Sequence, residues 1–252
     1  MTTPLQIFPL THIGEITKNS SLTDEILSSL QTQQLTLQDL DILVITQKIV
    51  SKAEGRIIHL DDVIPSTFAK EIAQKHGKNP AHIECILRET KRIVRMDHGV
   101  IISETHQGFI CANAGVDESN VADNKTVTLL PINPDASAKN IHDAVIKMTK
   151  VKNIGIIISD TWGRPWREGQ VNFAIGSYGF TPLNDYRGKK DTYGYTLKVS
   201  SIAIADELAS AAELVMGKTD NIPAVLIRGY SFTPSAKNAK DLLRKHALDL
   251  FR

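Results

Sequence analysis

The sequence predicts a mixed α and β protein, and three observations carry that prediction. Short apolar runs of strand length, such as Asp41 to Thr46 (DILVIT) and Ile154 to Ser159, alternate with segments whose apolar residues recur at helical spacing. Proline, glycine and asparagine punctuate the chain where one period gives way to the other. The composition, 42% hydrophobic and 23% charged, is that of a globular chain able to bury a core.

In chain order, Leu22, Ile26, Leu27 and Leu30 share one face of a first helix, followed by the buried strand Asp41 to Thr46. That strand runs into a polar stretch, Thr46 to Arg56, which turns at Gly55. Pro65 and Ser66 open a helix with Phe68, Ala69, Ile72 and Ala73 on one side, closed by Gly77. Asn79 and Pro80 open another, carrying Ile83, Cys85, Ile86 and Leu87. There asparagine serves as N-cap and proline takes the first helical position, where its missing N–H costs little. From Ile93 to Ala112 the pattern is that of strands, with Gln107 and Gly108 turning between Val100 to Thr105 and Phe109 to Ala112. A strand Val127 to Leu130 precedes a helix through Ala138, Ile141, Val145 and Met148. The buried strand Ile154 to Ser159 then ends in a polar turn. Thr161 to Thr196 holds six glycines and few apolar runs, the texture of a long loop-rich segment. Strand Leu197 to Ala203, helix Asp206 to Met216, strand Ala224 to Arg228 and an amphipathic helix through Leu242, Leu243, Ala247 and Leu250 complete the chain. No repeat or low-complexity linker divides it, so a single unit over residues 1–252 is expected.

Charge narrows the partners. With 29 Lys and Arg against 28 Asp and Glu, the net charge of +1 argues against nucleic acid polymers or anionic membranes as principal partners. The balance is local, however: from Asp160 to Lys190 five basic residues face three acidic ones. No secretory signal pattern or long apolar span is present, so a cytoplasmic location is expected. The two cysteines, Cys85 and Cys111, lack CxxC spacing and are expected to be reduced and buried.

Several common chemistries lack their motifs. Gly217, Lys218 and Thr219 resemble the end of a P-loop, but Ala212 stands where its first glycine is required. GxGxxG, HExxH and GxSxG are absent. Three polar clusters remain. In the first, Gln47, Lys48, Ser51 and Lys52 leave a strand end, where lysines either contact phosphate or form a solvated terminus. In the second (ANAGVDESN), Asn113 and Gly115 suit a tight turn. Asp117, Glu118, Ser119 and Asn120 supply hard oxygens suited to Mg²⁺, Mn²⁺ or Ca²⁺, or form only a turn. In the third (SDTWGRPWREG), Asp160 and Thr161 stand at the carboxyl end of an apolar strand, where open sheets place ligand contacts. A carboxylate beside a hydroxyl can hold a nucleotide-bound Mg²⁺, and Arg164 and Arg167 could neutralise phosphate or carboxylate charge. Trp162 and Trp166 are expected to anchor that loop.

The ordered segments TQKIVSKAEGR, CANAGVDESN, LPINPDASA, IISDTWGRPWREGQVNFAIG, KDTYGYTL, ADELASAAELVMGK and IPAVLIRG closely resemble the coenzyme F420-0:L-glutamate ligase family, the γ-glutamyl ligases. The resemblance covers nearly the whole chain. It implies an α+β fold with two α+β subdomains, no fused flavin-binding domain, and a homodimer. It also implies a GTP-dependent ligase requiring Mn²⁺ or Mg²⁺ and stimulated by K⁺, which adds L-glutamate to the lactyl carboxylate of F420-0 and extends by γ-linkage. Matched position by position, Asp117 and Asp160 resemble metal ligands and Thr161 a ligand of a second metal. Lys52 and Asn120 resemble GTP contacts, and Ile13, Gly14, Glu15, Ile16 and Gln47 align with nucleotide-contacting segments. His12 and Gly14 replace a familiar glycine and proline in the N-terminal loop. Lys218 stands where some archaeal members carry an acidic metal ligand.

Such residues suit the chemistry, since a carboxylate must be activated before an amine can attack it. An acyl phosphate made from GTP supplies that activation, and catalytic roles for Asp117, Asp160 and Lys52 follow from the need to bring two anions together. No general base is singled out; His12, His98 and His106 are candidates by residue type alone. Two rivals stay open: a ligase of the same mechanism acting on another acceptor acid, and a non-catalytic nucleotide- or metal-binding protein.

Overall fold

The computed structural model describes residues 4–118 and 125–250. In chain order the elements are β1 (Gln6–Leu10), α1 (Leu22–Thr32), β2 (Asp41–Thr46), α2 (Gln47–Ala53), β3 (Ile57–His59), α3 (Thr67–His76), α4 (Pro80–Glu89), β4 (Thr90–Asp97), β5 (Val100–Thr105), β6 (Ile110–Ala112) and β7 (Thr126–Thr128). They continue with α5 (Pro134–Met148), β8 (Ile154–Arg164), β9 (Arg167–Phe180), β10 (Asn184–Asp185), β11 (Ser201–Ile202), α6 (Ile204–Met216), β12 (Ala224–Arg228) and β13 (Pro234–Ser235). Helices with mixed sheets make this an α+β fold.

A six-stranded sheet, ordered β1-β12-β2-β8-β9-β13, organises the chain. Among the described residues only β2 and β8 pair in parallel. Ile42, Leu43, Val44 and Ile45 of β2 are all fully buried, because this central strand is covered on both faces; that is why its sequence is continuously apolar rather than alternating. Leu43 and Ile45 meet Leu22, Ile26 and Leu30 of α1 and Ala138, Ile141 and Val145 of α5. Ile42 and Val44 meet Ile204, Ala205, Leu208 and Ala212 of α6 on the other face. A separate cluster joins Ala69, Ile72 and Ala73 of α3 to Ile83, Cys85 and Ile86 of α4, over Ile101 of β5 and Val127 of β7. The antiparallel sheet β4-β5-β6 carries that strand, while β3 pairs with β7.

Local signals are realised at several ends. Asn79 Oδ1 accepts the N–H groups of Ala81 and His82 at the start of α4. Ser66 caps α3, and Gly77 ends it in the left-handed region at φ 63°. Both cysteines are free and buried.

Four expectations are corrected. The stretch after Thr46 is the helix α2, not a strand end running to a turn. The glycine-rich segment after Thr161 is largely strand: β8 continues to Arg164 and β9 spans 14 residues. Two of its glycines, Gly176 and Gly179, mark close approach rather than looping, while Gly188 and Gly194 lie in turns beyond β9. A Cβ at Gly176 would stand 2.4 Å from the Pro134 carbonyl oxygen, and one at Gly179 (φ 92°) 2.1 Å from that of Ile154. The strand expected from Leu197 to Ala203 shrinks to Ser201–Ile202, because Leu197 bonds instead to Gly188 and Lys189 across a local hairpin and Val199 faces solvent. The C-terminal helix is replaced by short 3-10 turns at Ala239–Leu242 and His246–Leu248. Leu242 packs with the α6-side cluster and its neighbour Leu243 with the other, a divergence that one helical face does not provide.

Candidate active site

The site gathers where β2 ends and β8 runs on past it. Thr46, the last residue of β2, pairs with Ser159, so Asp160 lies one residue beyond the parallel ladder. The chain turns directly from β2 into α2, which puts Lys48 and Lys52 one helical turn apart. The turn Asn113–Gly115 has positive φ at all three residues and leads into Asp117, which bridges to Thr128 beside β7.

These elements bring Asp117, Asp160 and Lys48 together. Lys48 Nζ lies 2.9 Å from Asp117 Oδ2. Asp160 Oδ1 accepts the Thr161 backbone N–H at 2.8 Å and Oδ2 accepts the Trp162 indole N–H at 2.9 Å. Burial, the dominant cause, pushes the Asp160 carboxyl up to about 6, and the negative charge of Asp117 adds to the rise; the two hydrogen bonds and Lys48 oppose it. The neighbouring Cys111 thiol is pushed up to about 12, first by burial and then by the charge of Asp160. Trp162 is held between Phe109 and Phe173, with ring centroids 5.4 and 5.6 Å away, and so fixes the hydrogen bond to Asp160.

Lys48 belongs to the first polar cluster in the sequence, and the helix α2 is what aims it, with Lys52, toward one side; His82 is a site residue that the sequence does not single out. His82 Nδ1 lies 2.7 Å from Glu118 Oε1, while Nε2 is buried without a hydrogen-bond partner. Burial lowers its pKa, with the carboxylates of Glu118 and Asp117 acting the other way. Its contact with Glu118 joins residues 36 positions apart, which no local pattern reveals. By contrast, His98 is exposed beside Asp97, and His106 Nε2 contacts the Arg88 carbonyl, away from this cluster.

Lys52 pairs with Glu15, which ties the N-terminal stretch to α2. In that stretch Gly14 and Glu15 are exposed, Ile16 is buried and Ile13 packs against the core. His12 adopts φ 63°, so the altered loop turns through the left-handed region. Gln47 is almost fully buried and donates to Ser51 Oγ at 2.7 Å and the Leu129 carbonyl at 3.0 Å, so its amide N–H groups brace α2 against the chain beyond β7. Asn120 lies outside the described residues.

Thr161 is separated from Asp160 by strand geometry. Asp160 pairs with Phe173 on the α1–α5 face, whereas Thr161 pairs with Asn172 on the α6 face. The Thr161 hydroxyl donates to Asn172 Oδ1 at 2.5 Å and accepts from Lys218 Nζ at 2.7 Å. Arg164 and Arg167 face one another at the tip of the β8–β9 hairpin, about 13 Å along the strand from Asp160. Arg164 donates to the Glu168 carbonyl, and Trp166 at the tip is 82% exposed, so of the two tryptophans only Trp162 anchors this segment in the core.

Among the described residues no three His, Cys, Asp or Glu side chains converge as a metal-binding group. Asp117 and Asp160 nevertheless fit a divalent cation: they are hard oxygen donors whose mutual repulsion a cation would relieve. Thr161 does not fit in the same way: its neutral hydroxyl already donates to Asn172 and accepts from the Lys218 ammonium, whereas Asp117, which Lys48 also reaches, is a charged carboxylate with two oxygens. No helix among the described residues is long and apolar enough to cross a membrane.

Comparison with known proteins agrees with the resemblance in the sequence. The family model described as F420-0:Gamma-glutamyl ligase matches residues 11–229. The coenzyme F420:L-glutamate ligase of Methanothermobacter thermautotrophicus is 48% identical over 230 residues, covering 90% of each chain. That of Methanocaldococcus jannaschii is 47% identical over 87% of each chain, and that of Archaeoglobus fulgidus 36% identical over 98% of this chain and 96% of its own. A match to the family model across most of the chain, with relatives that align nearly end to end, places this protein in the F420-0:gamma-glutamyl ligase family.

Proposed function

We propose that this chain is a GTP-dependent ligase that joins L-glutamate to the carboxylate of coenzyme F420-0 and extends the product by γ-linkage, through an acyl-phosphate intermediate. The observation that carries the reading is the convergence of Asp117, Asp160 and Lys48, with Lys52 one turn away, in a member of this family. The γ-phosphoryl group of GTP passes to the acceptor carboxylate, and GDP leaves. The glutamate amine then attacks the acyl carbon and phosphate departs, with one proton lost from the amine.

Each step asks the protein mainly to hold anions together. Lys48 and Lys52 offset phosphate charge from one side of α2. Asp117 and Asp160 would hold a divalent cation, Mn²⁺ or Mg²⁺, which would supply positive charge against that of the transferring phosphoryl group. Trp162 and the Thr161 N–H keep the Asp160 carboxylate oriented before substrate arrives. Stimulation by K⁺, GTP contacts at Ile13 to Ile16, Gln47 and Asn120, substrate contacts at Arg164 and Arg167, and a homodimeric, cytoplasmic enzyme belong to the same proposal.

Mass spectrometry after incubation with F420-0, L-glutamate, GTP and Mn²⁺ tests it. A glutamate-dependent mass increase with matching GDP is expected, and Asp160→Asn should lower that turnover ~10²-fold. Glutamylation of another acid but not F420-0 would refute the acceptor. Absence of acceptor-dependent GDP would refute catalysis.

A further inference from the structure

At the end of α6 the chain places a cation of its own. The helix closes at Met216, which is buried, and Gly217 turns the chain with φ 58°. Lys218 follows, its ammonium 2.7 Å from Thr161 Oγ1 and 2.7 Å from Glu213 Oε1. Thr161 is itself fixed: its hydroxyl donates to the side chain of buried Asn172, and the Asn172 backbone carbonyl accepts from Ser210 Oγ of α6, so helix and hairpin share one network.

We infer that the Lys218 ammonium is the resident cation on the Thr161 hydroxyl and excludes a divalent metal ion from that position, so that the chain holds a single divalent cation at Asp117 and Asp160. This inference rests on the nucleotide-and-metal reading above. A threonine hydroxyl offers two lone pairs, and Lys218 occupies one of them. A divalent ion on the other would sit at contact distance from a like charge. Glu213, the nearby carboxylate that could draw such an ion in, is already neutralised by the same ammonium. Asp160 gives no help from across β8, because its side chain points to the opposite face of the sheet. Two of the three N–H donors of Lys218 are engaged by Thr161 and Glu213, which leaves the third for an anionic oxygen.

Electron paramagnetic resonance titration of Mn²⁺, with a non-hydrolysable GTP analogue present, counts the bound ions. The wild type should bind one Mn²⁺ per chain, Lys218→Ala one more than the wild type, and Lys218→Arg the wild-type number. Adding Thr161→Val to Lys218→Ala should abolish the extra ion. Because the Lys218 side chain is 60% exposed, these variants should fold, as circular dichroism will verify. An equal count in Lys218→Ala and the wild type, or two ions in the wild type, would overturn the inference. A wild type without Mn²⁺ beside a Lys218→Ala variant with one would instead sink the metal role of Asp117 and Asp160 while upholding the exclusion by Lys218.

Discussion

Replacing Asp160 with asparagine isolates the strain that its buried carboxyl places on the fold. The carboxyl titrates at about 6 in the folded protein against 3.8 ordinarily. Folded protein therefore takes up this proton more readily than unfolded protein, and the ionised group destabilises the fold above pH 6. Stability from this group rises as pH falls through 6 and levels off below 4. Linkage gives about 1.3 kcal/mol between pH 7 and pH 5, and about 3 kcal/mol over the full range. The variant keeps an oxygen for the Thr161 N–H but turns an amide towards the Trp162 indole N–H, a penalty of about 1–3 kcal/mol that does not vary with pH. The slope, not the offset, is thus the signature. Urea unfolding in chelator at pH 5, 6, 7 and 8 should show the variant gaining about 1.3 kcal/mol on the wild type between pH 5 and pH 7. Asp135 and Asp206, which burial also raises, are common to both proteins and cancel. A difference between the two proteins that is equal at pH 5 and pH 7 would refute the reasoning.

Three further outcomes are expected. Lys48→Met removes the cation bound to Asp117 and should lower turnover ~10²-fold with an unchanged circular dichroism spectrum; near-normal turnover would remove Lys48 from the site. Arg228→Met strips the forked partner from Asp41, which is 1% exposed, and should destabilise the fold by about 3–5 kcal/mol in urea melts. Gly179→Ala forces a Cβ to 2.1 Å from the Ile154 carbonyl at a φ of 92°, and should lower the unfolding midpoint by more than the ordinary helix or strand glycine substitution; an unchanged midpoint would mean that β8 and β9 can separate there without penalty.

Legibility in the sequence followed the range of the interactions. The caps at Ser66 and Asn79 and the stop at Gly77 depend on neighbours within a few residues and are readable, and the strand Asp41–Thr46 is readable from its own apolar run, although the helices that cover it lie far along the chain. The helix α2 was hidden because it begins at the residue after β2, without a capping side chain or a linker. In β9 the glycines looked like turns because the atoms that forbid a side chain there, the Pro134 and Ile154 carbonyls, belong to other elements.

The site divides in the same way. Asp117, Asp160 and Lys52 stood out as polar groups in recognisable segments, and the sequence by itself determined the family, the mixed α and β class and the oxygen-rich chemistry on offer. Tertiary structure alone decided which of these groups meet. Parallel pairing of β2 with β8 brings Asp160 beside α2, and the bridge from Asp117 to Thr128 returns the second carboxylate to Lys48. The alternation of a strand sends adjacent Asp160 and Thr161 to opposite faces, and places Thr161 with Lys218, 57 residues away. Adjacency along a chain fixes covalent order, but the direction of a side chain depends on the pleat and on what packs over it.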